Sequence, residues 1–116
     1  MMRTTKQKII FAAMSKRNFF LREHIIKYIL ESGHTPMCAF MMYSYFLLDT
    51  VERKKLISAN NDLIRRSDEL WVFGDISDGV QQEINLATKL EMSIKYYEVT
   101  GTKFENISSD LAQKEC

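Results

Sequence analysis

Hydrophobic positions recur along this chain with two alternating periods, which predict strands and helices in regular succession. Short apolar runs predict strands at residues 8–14, 34–40, 69–74 and 93–99. Between the runs the apolar residues take helical spacing, which predicts helices over residues 18–32, 50–66 and 78–91. Strands that alternate with helices in this way predict right-handed crossovers and a parallel sheet covered on both faces.

The predicted architecture is a small doubly wound α/β domain, flavodoxin-like, with four to five parallel strands and helices on both faces. The chain has 116 residues, of which 46% are hydrophobic and 27% are charged, and this length is enough for one compact core. We therefore expect a single domain over residues 1–116, with its core at about 8–99. Residues 100–116 have weak patterning and are expected to form a tail with at most a short helix near residues 108–114.

Charge and cysteine content narrow the class of protein. Sixteen basic and fifteen acidic residues leave a net charge of +1, which gives no electrostatic reason to expect a nucleic-acid polymer or an anionic membrane as partner. Cys38 and Cys116 cannot form the disulfide framework of a small secreted protein, so a reducing cytoplasm is the expected location. The apolar runs are too short to span a membrane.

Three loops are expected at the ligand crevice, because ligands of such folds bind beyond the carboxyl ends of the strands. These loops are residues 14–18, 40–49 and 74–79. Their polar and aromatic side chains are candidates for substrate binding: Ser15, Tyr43, Ser77, Asp78 and Gly79.

Glu83 occupies a position where the helical pattern calls for an apolar residue. It falls inside the stripe formed by Val80, Ile84, Ala87 and Leu90, so its carboxylate is expected to be partly shielded from water. A shielded charge costs free energy unless it has a partner or a chemical task. Glu83 is therefore the first candidate for a catalytic group.

Asn60 is a second polar residue in an apolar stripe. It shares a predicted helix face with Leu56, Leu63 and Ile64. A buried amide must find hydrogen-bond partners, which are either backbone groups of the protein or a bound base. The pattern leaves both possibilities open.

A metal site or a cofactor is not expected. His24 lies on a predicted helix and His34 just after its end, without the paired spacing of a zinc or iron site. Neither cysteine follows a recognisable nucleophile turn, so the pattern suggests no Cys-His arrangement.

The start of the third predicted helix allows two interpretations. Free amides at a helix start attract anions such as phosphate, and Gly79 would let the backbone approach a ligand closely. Alternatively, Asp78 is the N-cap with Gln81 as its capping-box partner, and Gly79 serves only the turn. The second interpretation leaves Glu83 unexplained, since it lies a full turn further into the helix.

Over residues 8–99 the chain resembles the nucleoside 2-deoxyribosyltransferase family, which includes the 2'-deoxynucleoside 5'-phosphate N-hydrolases. The strongest part is D-E-L-W-V-F-G at residues 68–74, followed by S-D-G-V-Q-Q-E-I at 77–84. Family members have an acidic residue opening the third strand and then a loop of the form S-x-G-x-x-x-E. The spacing here matches without a gap.

The resemblance implies an activity at the N-glycosidic bond of a nucleotide or nucleoside. Glu83 would attack the anomeric carbon of the sugar as the base departs, and the covalent intermediate would pass to another base or to water. Ser77 matches the serine that contacts the 5'-phosphate in the hydrolase branch, and the Ser15 loop could supply further phosphate donors. Members of this family often complete their sites across a dimer interface, so a homodimer or a higher homo-oligomer is expected.

Two positions depart from the family pattern and keep other functions open. Ile10 stands where the family carries an aromatic hydroxyl, and Asn60 replaces an aspartate that can pass a proton to the departing base. Tyr43 or Tyr45 is the candidate replacement for the missing hydroxyl. The alternatives are a catalytically inactive nucleotide-binding module and an interaction protein whose aromatic loop contacts a partner.

Overall fold

The structure, a computed structural model, describes residues 7–39 and 45–115. Its strands are β1 (Ile9–Met14), β2 (Thr35–Met37), β3 (Glu69–Phe73), β4 (Ser93–Thr100) and β5 (Lys103–Ile107). Its α-helices are α1 (Arg22–Glu31), α2 (Tyr45–Thr50), α3 (Arg53–Arg65) and α4 (Asp78–Lys89). Two 3-10 helices cover Lys16–Leu21 and Ser109–Leu111.

The five strands form one sheet in the order β2-β1-β3-β4-β5. The first four strands are parallel, and β5 pairs antiparallel with β4. This order is the flavodoxin-like one, in which the switch point lies between β1 and β3. The prediction of a small doubly wound α/β fold is therefore confirmed. Among the described residues, no helix is long and apolar enough to cross a membrane.

Successive side chains of the central strands point to opposite faces of the sheet and form two separate hydrophobic cores, one on each face. On one face α1 packs against the sheet, with Ile10, Ile25, Ile29, Trp71 and Phe73 in its core. On the other face α3 and α4 pack, with Phe11, Ile64, Val72, Val80 and Ile84 in theirs. Because α3 and α4 share a face, side chains between these two helices can meet.

The carboxyl-terminal segment differs from its prediction, because residues 103–107 complete the sheet as β5. A two-residue turn connects β4 to β5, with Gly101 at φ +60° in the first turn position, as type II′ hairpins prefer. Phe104 packs on the α1 face, its ring centroid 5.4 Å from that of Phe73. The predicted short helix near residues 108–114 is a single 3-10 turn at Ser109–Leu111. The expectation of a core ending near residue 99 is therefore wrong.

Candidate functional site

Ser77 begins the helix that carries Glu83. Its hydroxyl accepts a hydrogen bond from the backbone N–H of Val80 at 3.2 Å, so Ser77 is the N-cap and Asp78 is the first helical residue. The predicted N-cap at Asp78 is wrong, and so is its capping box, because the side chain of Gln81 donates to that of Asn85 at 2.9 Å. A serine in extended backbone just before the helix therefore satisfies the amide of Val80 in place of Asp78.

Gly79 lies within the first turn of α4, and its backbone does not need a glycine. It is not among the glycines with positive φ, and a Cβ built on it would approach only the Ser77 hydroxyl, at 4.0 Å. Both Asp78 and Gly79 are exposed. The interpretation that Gly79 serves only the turn therefore has no support in the backbone, and open space lies beside the helix start.

Glu83 and Asn60 meet between α4 and α3. The Asn60 Nδ2 donates a hydrogen bond to Glu83 Oε2 at 2.6 Å, and both side chains are partly buried. Arg65, which could have paired with Glu83 at the surface, pairs instead with Asp62 at 2.9 Å. The two polar residues that interrupt the apolar stripes of their helices are thus each other's partners.

Burial governs the ionisation of Glu83. The low polarity around the carboxyl raises its pKa to about 7, although the hydrogen bond from Asn60 favours the charged form and opposes this rise. A carboxyl with a pKa near neutrality exists in both protonation states at physiological pH. Such a group can act as a nucleophile, a general base or a general acid.

Ser15 is buried at the end of β1, on the same edge of the sheet as Ser77. Its hydroxyl accepts from the backbone N–H of Arg17 at 3.1 Å and donates to the carboxylate of Glu115. The carboxyl-terminal segment therefore reaches the first of the predicted crevice loops. No hydrophobic period or motif connects residues 100 positions apart, and so the sequence pattern contained no signal for Glu115.

A polar cavity of about 340 Å³ lies at the carboxyl ends of β3 and β4. Its lining includes Arg17, Asn18, Asp75, Glu98 and Glu115. Gly74 also lines the cavity and has a φ of +81°, which favours glycine. A side chain at this position would collide with the Asn18 amide, which donates a hydrogen bond to Phe73 O at 3.3 Å. Neither Glu83 nor Asn60 lines this cavity, so the cavity does not enclose the Glu83–Asn60 pair.

The acidic pair that opens β3 does not belong to the crevice. Asp68 accepts from the backbone N–H of Ile9 at 2.7 Å, at the amino ends of the strands. Glu69 is buried, which opposes its ionisation, but hydrogen bonds from Trp71 and Lys8 outweigh burial and lower its pKa below the usual value. This acidic pair connects to the start of β1 and lies at the other end of the sheet from the loops predicted to bind a ligand.

Three further points of the sequence analysis concern Tyr43, Ile10 and a metal site. Tyr43 lies outside the described residues. Ile10 packs in the α1 core, on the opposite face of the sheet from Glu83, so it does not contact the carboxylate. Within residues 7–39 and 45–115, no group of three or more His, Cys, Asp or Glu side chains could hold a metal ion.

The fold and the site together define a small flavodoxin-like α/β domain with a shielded carboxyl, held by an amide, near the start of a capped helix. Residues 10–97 match the family described as a domain of unknown function, DUF7768, and the chain belongs to that family. No curated protein matches the chain.

Proposed function

We propose that this protein cleaves or transfers at the N-glycosidic bond of a nucleotide or nucleoside, with Glu83 as the nucleophile. The observation that carries the proposal is the Glu83 carboxyl, shielded between two helices, bonded to Asn60 and with a pKa of about 7. The S-x-G-x-x-x-E spacing supports the same chemistry by resemblance. Few structural roles require a carboxyl at such a position, since burial of a charge is costly.

In the proposed reaction a Glu83 oxygen bonds to the anomeric carbon while the carbon–nitrogen bond breaks and the base leaves with the electron pair. The base takes up a proton from solvent as it leaves. Water or a second base then attacks the anomeric carbon of the glycosyl ester, loses its proton to solvent and releases the carboxylate. The Asn60 amide holds one carboxylate oxygen, Oε2, so attack falls to the other. Asn60 would thus orient the nucleophile.

The start of α4 supports a nucleotide over a nucleoside as substrate. Backbone N–H groups at a helix start and the positive end of the helix dipole attract phosphate. Ser77 adds a hydroxyl, and Gly79 leaves the space beside it open. The helix continues for 12 residues and carries Glu83 one turn beyond this position.

Gly79→Ala separates a ligand-binding role of this glycine from a structural one. Alanine fits the helix without a clash, so we expect the variant to be more stable by about 0.5–1 kcal/mol in urea denaturation. We expect it to bind nucleoside monophosphates more weakly in calorimetry, because the methyl group occupies the open space. Gln82→Ala, at an exposed position of the same helix, is the matched control. A destabilised Gly79→Ala variant with unchanged affinity would contradict the ligand-binding role.

Incubation with a panel of nucleosides and nucleoside monophosphates tests the proposed function. Chromatography is expected to detect free base with at least one deoxynucleoside monophosphate. Release should disappear in Glu83→Ala and persist in Glu105→Ala, where an exposed carboxylate on β5 is lost. Absence of base release across the panel, or release that survives the loss of Glu83, would contradict it.

A second candidate function is a nucleotide-binding module without turnover. It rests on the amide at position 60, because Asn60 bonds to Glu83 but, unlike a carboxylic acid, cannot pass a proton to a departing base. Nucleotides would then raise the melting temperature without release of base. The same panel distinguishes the two functions.

The homo-oligomer implied by the resemblance stays a prediction, which light scattering can test.

A further inference from the structure

The last described residues, 112–115, run back across the carboxyl edge of the sheet, and we call them the C-terminal strap. The backbone N–H of Ile76 donates to Gln113 O at 2.8 Å, and that of Glu115 donates to Ile76 O at 2.9 Å. Lys114 thereby forms an isolated parallel bridge with Ile76. Ile76 directly precedes Ser77, so the strap lies next to the start of the helix that carries Glu83.

At the end of the strap, the Glu115 carboxylate lies among donors from the β1 loop. Its Oε2 accepts from the Ser15 hydroxyl and lies 3.5 Å from Arg17 Nε. Ser15 is buried, and the Glu115 side chain is only 19% exposed. A hydroxyl and a guanidinium around an anionic oxygen also form the donor set that holds phosphate oxygens in proteins.

We propose that the C-terminal strap is autoinhibitory: Glu115 occupies the place of an anionic ligand group at Ser15 and Arg17, and a phosphate must displace it to bind. The proposal rests on the proposed function in so far as a phosphate-bearing substrate enters at this edge. A carboxylate and a phosphate cannot share these donors, because their charges repel and the Ser15 hydroxyl has one proton to donate.

The strap is held weakly enough to be displaced. Among the described residues, its attachment includes two backbone hydrogen bonds, the contacts of Glu115 and the packing of the small Ala112 side chain against the core under α3 and α4. One member of the ion pair, Arg17, has a side chain that is 62% exposed. Gln113 and Lys114 are exposed. Displacement of the strap breaks none of the pairings between the five strands and removes only Ala112 from the edge of one core. An anion then binds only to molecules whose strap is displaced. Its apparent affinity is therefore the intrinsic affinity multiplied by the fraction of such molecules.

Binding of inorganic phosphate to the full chain, measured by calorimetry, tests the inference. Removal of the competing carboxylate in Glu115→Ala is expected to tighten phosphate binding about tenfold. Glu115→Gln keeps a hydrogen-bond acceptor for Ser15 but loses the charge, so an intermediate gain is expected. Glu105→Ala changes the net charge equally on β5 and should leave the affinity close to that of the unmodified protein.

A second substitution identifies the place of binding. If phosphate takes the position of Glu115, Ser15→Ala in the Glu115→Ala background should remove most of the gain. Equal phosphate affinity in the Glu115 variants and in Glu105→Ala, including no binding in any of them, would overturn the inference. A gain that survives the loss of Ser15 would also overturn it. Base release is scored separately with the nucleotide panel, so phosphate binding without base release contradicts the proposed function alone.

Discussion

Glu83→Gln is expected to make the protein more stable at about pH 8, by on the order of 3 kcal/mol, and to abolish base release. Burial raises the pKa of Glu83 from its ordinary value of 4.5 to about 7. The folded protein therefore binds this proton more tightly than the unfolded chain does. The resulting stability is fully present below about pH 4.5 and is lost as the pH rises through about 7.

Urea denaturation across this pH range measures the effect. The unmodified protein should lose stability between about pH 5 and pH 8, whereas the glutamine variant should lose less, because it has no proton to release at this position. Glutamine also keeps an oxygen that can accept from Asn60. Glu105→Gln, an exposed carboxyl on β5, is the matched control and should follow the unmodified protein. Parallel pH profiles for Glu83→Gln and the unmodified protein would show that the carboxyl is not shielded.

Asn60→Asp is expected to destabilise the protein at about pH 8, with a cost on the order of 4 kcal/mol if both carboxylates are forced to ionise. The substitution places a second carboxyl where Nδ2 now donates to Glu83 at 2.6 Å. Two carboxylates at this separation share one proton, so in mildly acidic solution the pair should be hydrogen-bonded and the loss small.

The neighbouring residue provides the control for this variant. Asn61→Asp adds the same charge to the same helix one position away from the Glu83 contact, and its cost should vary little with pH. If Asn60→Asp and Asn61→Asp lose equal stability at all pH values, the Asn60–Glu83 contact does not exist in solution.

In the proposed reaction the new carboxyl of Asn60→Asp can also donate a proton to the departing base. Base release at about pH 6 is therefore expected to be faster in Asn60→Asp than in the unmodified protein.

The central pair of the site could be anticipated from the sequence because both residues interrupt a helical period. The 3.6-residue repeat assigns Glu83 and Asn60 to inward faces of their helices, and α3 and α4 then pack on one face of the sheet. The pattern did not show that the two side chains would be partners, since a period specifies a face and not the rotation of one helix against another.

The carboxyl-terminal segment shows where sequence periodicity loses its information. In β5 the apolar residues Phe104 and Ile107 are three positions apart, so the strand lacks an alternating pattern. β5 pairs with the adjacent β4 through the turn at Gly101. This glycine was the one local feature of the sequence that could have indicated a hairpin. The contact of Glu115 with Ser15 depends on the path of the whole chain, and local patterns carry no information about it.

The start of α4 shows the limit of cap prediction. Ser77 and Asp78 are both good N-cap residues, and their order in the chain does not decide between them. The backbone conformation decides: Ser77 is extended, with ψ 170°, and its hydroxyl faces the amide of Val80. The consequence for the site is that Ser77 already serves α4, and a phosphate would share its hydroxyl with the cap.

The most direct test of the central claim is a search for a covalent sugar on Glu83. The protein is mixed with the deoxynucleoside monophosphate that releases base, quenched in acid within a single turnover, digested and analysed by peptide mass spectrometry. We predict a glycosyl ester on the peptide that contains Glu83, and its absence in Glu83→Gln. Release of base with an adduct on another residue, or with Glu83→Gln fully active, would contradict the assignment of Glu83 as nucleophile.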